Sequence, residues 1–143
     1  MMYNYKTRED KVSEFHRAMG LDLNNDPSVS LLELRKNLLL EEVQETVEAI
    51  DKITMELMRG RKPSSEDWAN FLKELNDVQY IISGTFISFN TFLGNLDTSF
   101  NRVHNSNMSK LDEEGNPVYN KEGKVLKGSN YKIPDLKDLI GVK

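Results

Sequence analysis

The feature that most constrains this chain is the stretch Val78 to Phe89, VQYIISGTFISF, which holds no charged residue and is apolar almost all round. A helix of that character has to be buried between other helices. The residues before it supply the beginning of such a helix. Pro63, Ser64 and Ser65 predict a start, and the helix runs from about Glu66 to Phe89 with a serine cap, amphipathic at first through Trp68, Phe71, Leu72 and Leu75.

The remaining helices are those this central one needs around it. A first helix is predicted from about Thr7 to Met19, with Val12, Phe15, His16 and Met19 on one stripe and Gly20 ending it. After a loop from Asp22 to Ser30, a long second helix capped by Ser28 or Ser30 reaches about Arg59 before Gly60 stops it. Its apolar face reads Leu32, Leu39, Val43, Ile50, Ile53 and Leu57. A fourth helix is expected from about Leu93 to Leu111, weaker in pattern and interrupted near its start by Gly94. Beyond Leu111 the sequence DEEGNPVYNKEGKVLKGSNYKIPDL places Gly, Asn and Pro at short intervals, so helix gives way to turns. There Pro117–Tyr119 and Lys124–Leu126 flank Asn120–Gly123 as a small hairpin or ordered arm. The fold expected is all-α: one domain over 1–143, a bundle of four to five helices within 1–111 and a short C-terminal hairpin or arm over 112–143.

Composition then narrows the chemistry. The absence of cysteine removes disulfides, thiolate zinc sites and a cysteine nucleophile, leaving carboxylates and two histidines as the main metal ligands. Neither histidine follows a glutamate by three residues, so the Glu-x-x-His pairs of carboxylate-bridged redox bundles are missing. A net charge of −4 argues against a nucleic-acid partner, which needs a concentrated basic face. No apolar run approaches the roughly 20 residues of a membrane span. The start MMYNYKTRED lacks the pattern of a signal peptide, so the expected location is the cytoplasm.

Acidic residues are numerous, and pairs spaced i, i+3 need weighing against chance. With 23 acids in 143 residues about 3.6 such pairs are expected, and five occur, so an isolated pair carries little. What separates 42/45 and 74/77 from the others is their position beside apolar rows. Glu42 lies in line with Leu38, Leu39, Ala49, Ile50 and Ile53; Glu74 sits between Phe71 and Val78, and Asp77 is followed by Tyr80 and Ile81. Four carboxylates brought together in low dielectric cannot all stay ionised without cations. On the residues alone two readings stand: solvated helix faces, or an oxygen-ligand site for Mg²⁺ or Mn²⁺.

The arrangement Glu41-Glu42-Val43-Gln44-Glu45, followed after 28 residues (46 through 73) by Glu74-Leu75-Asn76-Asp77, resembles the E-E-x-x-E and E-x-x-D signature of the all-α NTP pyrophosphatases, the MazG and phosphoribosyl-ATP pyrophosphohydrolase-like superfamily. Arg35 before the glutamates and Tyr80 and Gly84 after Asp77 agree with it. Downstream, the SNMSK stretch Ser106–Lys110 and the arm Gly123-Lys124-Val125-Leu126-Lys127-Gly128 with Tyr131 and Pro134 are similar to a subgroup of the same superfamily.

The resemblance implies a MazG-like bundle and an enzyme, a nucleotide pyrophosphohydrolase acting on a phosphoric anhydride bond. It would convert an NTP or dNTP to the monophosphate and pyrophosphate, in nucleotide-pool house-cleaning. Glu42, Glu45, Glu74 and Asp77 are then the metal ligands for Mg²⁺, with Mn²⁺ as substitute, and Glu41, one turn before Glu45, is the general base toward the attacking water. Asn107, Lys110, Lys127 and Tyr131 are the implied substrate-binding residues; Lys110, Lys124 and Lys127 are either cations for the phosphates or solubilising charges, and Tyr131 either stacks on a base or anchors the arm. dUTP, dCTP, a damaged nucleotide or a broad set all fit this reading. His16 and His104 lack metal-ligand spacing and read as structural, while Trp68 and the phenylalanines read as core. The apolar third helix and the superfamily's habit of completing sites across subunits imply a homodimer or homotetramer. The competing reading is a non-catalytic helical interaction module.

Overall fold

The structure, a computed structural model, describes residues 5–141; the first four residues of the start read above for a leader lie outside it. Among the described residues there are five helices: α1 (Arg8–Met19), α2 (Val29–Met58), α3 (Ser65–Ser88), the single turn α4 (Asn90–Leu93) and α5 (Leu96–Met108), with a 3₁₀ turn at Lys137–Leu139. The described residues hold no strand, only one antiparallel bridge between Tyr119 and Val125. The fold is all-α. The chain divides into two compact units, Met1–Asn90 and Thr91–Lys143.

In the first unit the ends of the helices are set by side chains the sequence places there. Thr7 and Asp10 form a reciprocal capping box at the start of α1, and Gly20 at φ 65° closes it. Ser28 caps α2 by accepting from the Leu31 N–H at 3.2 Å. Ser64 and Asp67 repeat the capping box at α3, and Lys52 of α2 reaches across to Asp67 at 2.6 Å. The facing pairs Lys52–Asp67 and Arg35–Thr85 show that α2 and α3 run antiparallel. α1 packs on α3, where Val12 is buried and the Ser83 hydroxyl donates to Glu9 at 2.9 Å. The last carbonyls of α3 accept from the loop after α1, Asn24 N–H to Ile87 O and Asn25 N–H to Ser88 O.

Two expectations about faces change. The part of α3 expected to be buried does hold Ser83, Gly84, Ile87, Ser88 and Phe89 in the interior, yet Tyr80 and Ile82 are exposed. On α2 the buried face is Leu31, Arg35, Ala49 and Ile53, with Glu42 half-buried in the same row. The stripe assigned to the core, Leu32, Leu39, Val43, Ile50 and Leu57, is turned to the outside apart from its neighbour Ile53; Leu32 is 51% exposed and Leu57 57%. On α3, Leu72 is 61% exposed, and Trp68 and Leu75 are exposed with it, so Trp68 is not core in the single chain. A helix with apolar residues on two faces satisfies only one of them against its own chain.

The second unit starts its main helix later than Leu93, because Gly94 takes φ 76° and Asn95 caps at Thr98 N–H, 2.8 Å. The following segment is ordered by its own turns. Asp112 accepts from the Glu114 and Asn116 N–H groups, and Asn120 from those of Glu122 and Lys124, so the expected hairpin is a tight turn at Asn120–Gly123 closed by Leu126 N–H to Val118 O. Ser106 donates to Lys132 O at 2.7 Å, and Ser109 accepts from Lys132 N–H at 2.9 Å, tying the arm to α5. Arg102 grips Asp138 through both terminal nitrogens.

Candidate metal centre

Positions 42 and 45 of α2 share a face, and the antiparallel packing of α3 sets Glu74 opposite them. The result is a group of three acids, Glu42, Glu45 and Glu74, each offering an oxygen within 4.8 Å of the others. Their surroundings differ. Glu74 is buried at 5% exposure, Glu42 is half-buried and Glu45 is exposed. Glu42 Oε2 is fully buried and has no hydrogen-bond partner. Burial pushes the Glu42 carboxyl above its ordinary value, and the nearby charges of Asp77 and Glu45 push it the same way.

Asp77 stands beside the trio, joined to it by Lys73, whose ammonium lies 2.9 Å from Asp77 Oδ2, 3.1 Å from Glu74 Oε1 and 4.0 Å from Glu45 Oε2. Its hydrogen bonds to Asp77 and Glu74 raise the Lys73 pKa above its ordinary value. Sequence reasoning missed this lysine. Its signal was position, directly before Glu74 and one turn before Asp77, which sets it among the acids. Glu41 is exposed and outside the trio, and Glu48, the other acid of the run, accepts from Gln44 at 3.0 Å.

The donor set fits a hard divalent cation. All three groups are carboxylates, one oxygen is buried without a partner, and a single lysine leaves the cluster with excess negative charge. Such a centre can bind and orient phosphate oxygens and, with a base nearby, assist hydrolysis.

The other residues singled out from the sequence lie in the second unit. Asn107 is exposed near the end of α5, and Lys110 follows that helix, its carbonyl accepting from Gly128 N–H at 3.2 Å. Gly128 is required there, because a Cβ would come 2.8 Å from that carbonyl oxygen. Lys127 sits over the Tyr131 ring, 4.7 Å from its centre, so these two are already paired. Lys124 is exposed.

Compared with known proteins, the chain matches the family model described as phosphoribosyl-ATP pyrophosphohydrolase over residues 12–107, about two thirds of its length and including all four acids and Asn107. No curated protein matches it. Members of this family typically depend on a divalent metal, in keeping with the acidic trio. No described helix is long and apolar enough to cross a membrane. With an all-helical fold, an acidic centre between α2 and α3 and a family match that spans both, the chain belongs to the phosphoribosyl-ATP pyrophosphohydrolase family within the MazG-like all-α NTP pyrophosphatase superfamily, and it is a nucleotide pyrophosphohydrolase, a hydrolase acting on phosphoric anhydride bonds.

Proposed function

We propose that the chain is a Mg²⁺-dependent nucleoside-triphosphate pyrophosphohydrolase, cleaving an NTP or dNTP between the α and β phosphates, with Mn²⁺ as an alternative ion. The observation that carries this reading is the buried, partnerless Oε2 of Glu42, a residue that shares an acidic trio with Glu45 and Glu74. An unpaired carboxylate oxygen in that position costs stability unless a cation meets it. Glu42, Glu45, Glu74 and Asp77 would hold the ion, which when bound neutralises the triphosphate and acidifies a water.

The chain's own groups then have definite tasks. Glu41, exposed and one turn from Glu45, takes the proton of the water whose oxygen attacks the α-phosphorus. The bond from that phosphorus to the bridging oxygen breaks, and pyrophosphate departs with the electron pair. Asn107 and Lys110 hydrogen-bond and neutralise phosphate oxygens, while Lys127 and Tyr131 act as a pair on the arm.

The same reading takes residues 1–143 as one domain and places the enzyme in the cytoplasm, acting on the nucleotide pool. Its partner is a second copy of the chain. The exposed row Leu32, Leu39, Val43, Ile50 and Leu57 of α2, with Trp68, Leu72 and Leu75 of α3, has the composition of an interior, and a twofold pair of such faces buries both. Light scattering is expected to give a dimer or tetramer; a monomer at working concentration refutes that part. Product analysis tests the reaction. Monophosphate and pyrophosphate are expected as first products from at least one triphosphate with Mg²⁺, and diphosphate with orthophosphate refutes the cleavage position.

A further inference from the structure

A cation of the chain's own already stands among the acids of the candidate centre. The Lys73 ammonium lies 3.1 and 3.3 Å from the two oxygens of Glu74, 2.9 Å from Asp77 Oδ2 and 4.0 Å from Glu45 Oε2. Among the described residues no other lysine, arginine or histidine comes within 4.0 Å of these carboxylates or of Glu42. The other cations of α2 and of the turn after it, Lys36, Lys52, Arg59 and Arg61, are paired with acids elsewhere.

The ammonium stands on the open side of the centre. Glu42 Oε2 is fully buried and the Glu74 side chain is 7% exposed, so these two form the closed side. The side chains of Glu45 and Asp77 are 46% and 36% exposed, and that of Lys73 is 59% exposed. A group entering from solvent therefore meets Glu45, Asp77 and Lys73 before it meets Glu74.

Lys73 cannot keep this position once the acids serve a metal. A divalent cation taking oxygens of Glu74 and Asp77 at roughly the 2.0–2.1 Å of Mg²⁺ coordination would face a like charge bonded to the same carboxylates, at a separation where repulsion is strong. The ammonium has to leave, and solvent is the side open to it. Its flexible stem stays fixed to α3, one residue before Glu74 and one turn before Asp77, so the freed charge remains at the entrance. An ammonium there is a donor only, and its complement is a group rich in anionic oxygens. A triphosphate brings such oxygens to the metal, and the ion alone leaves several of them unpaired.

We propose that Lys73 is a phosphate-binding residue held in reserve: without an ion its ammonium neutralises Glu74 and Asp77, and once those acids take the ion it turns to the substrate's phosphate oxygens. Lys73 then works against the metal when no nucleotide is present and with it when one is. The proposal rests on the pyrophosphohydrolase reading for the ion and the triphosphate, and its test separates the two.

Calorimetric titration of the full chain reads both halves without turnover. With Mg²⁺ alone, Lys73→Gln is expected to bind about fivefold tighter than the native chain, because an exposed ion pair no longer has to be broken. With Mg²⁺ saturating both proteins, the variant is expected to bind the α,β-methylene analogue of a triphosphate that the chain cleaves at least fivefold more weakly. Lys73→Arg keeps the charge and should bring both affinities to within about threefold of the native values. The position is exposed, so both variants are expected to keep the native circular dichroism.

The opposite signs decide the matter. A lysine that only orders the acids would, when removed, weaken both the ion and the analogue. A counter-ion with no part in substrate binding would give tighter Mg²⁺ and an unchanged analogue. Either result overturns the proposal, as does a Lys73→Gln variant that matches the native chain in both titrations, and the reaction reading survives all three. A native chain that binds neither Mg²⁺ nor Mn²⁺, or cleaves no triphosphate, overturns the reaction reading and the proposal with it.

Discussion

Glu42→Gln should make the protein more stable without metal and less stable with it. Oxygens of Glu42, Glu45 and Glu74 lie within 4.8 Å of one another. At that spacing two unit charges repel by about 3.5 kcal/mol at an effective dielectric of 20. Glu45 is exposed, so its share falls to the level of a surface pair, about 0.5 kcal/mol. Glu74 is buried, but the Lys73 ammonium 3.1 Å from it offsets roughly half of its share. The relief, about 2 kcal/mol, is reduced by about 1 kcal/mol because the new amide is also partly buried and unpaired. A net gain of about 1 kcal/mol corresponds to a rise in Tm of about 3 °C for a chain of this size. An ion held at a hundred times its Kd would stabilise the native protein by about 2.7 kcal/mol, most of which the variant forfeits. Melting curves of both proteins in chelator and in Mg²⁺ should therefore cross in order. A variant that melts below the native protein in chelator, or that gains as much from Mg²⁺, refutes the reasoning.

Asp77→Asn should abolish turnover and weaken Mg²⁺ binding by at least tenfold in calorimetry, with little change in metal-free stability because Asp77 is already paired with Lys73. Glu41→Gln should lower kcat by about a hundredfold or more while Mg²⁺ affinity persists, which separates a base from a ligand. Asp67 is held at about 2 by hydrogen bonds from Lys52 and Ser64. A depressed carboxyl contributes stability that is fully present above its unfolded value of 3.8 and is lost as pH falls toward 2, so Asp67→Asn should lower the Tm at pH 7 and flatten its fall between pH 4 and 2. Gly128→Ala should cost about 1–3 kcal/mol by forcing the arm off the Lys110 carbonyl, read as faster hydrogen exchange at Lys132 N–H.

Much of this architecture was legible in local chemistry. Thr7, Ser28 and Ser64 cap the helices whose starts they signal, and Gly20 and Gly60 follow the ends of theirs. Neighbours within one turn decide such features. The faces were harder, because periodicity reveals an apolar stripe without saying what covers it. Leu32, Leu39, Val43, Ile50 and Leu57 look like a core row, yet the chain buries Leu31, Arg35, Ala49 and Ile53 instead. Glu42, Glu45 and Glu74 stood out by spacing and apolar neighbours, but those left solvated faces and a metal site both open, and the E-E-x-x-E and E-x-x-D resemblance is what favoured the site. Lys73 was not, since a lysine beside acids on a helix is ordinary until the opposite helix arrives. Arg35 and His16 meet at Gly84, a convergence of three helices that no window of one helix contains.

Lys73 also bears on how such a protein comes into being. Where a cluster of acids has no counter-charge, compaction waits for an ion, and folding becomes hostage to metal supply. Here the chain brings its own ammonium on the same helix as Glu74 and Asp77, one residue and one turn away, so the positive charge arrives with the acids whenever α3 forms. On the proposed metal reading, folding of such a chain would not wait for the ion, which would be loaded afterwards. The ammonium is more than half exposed and need only swing toward solvent to make room.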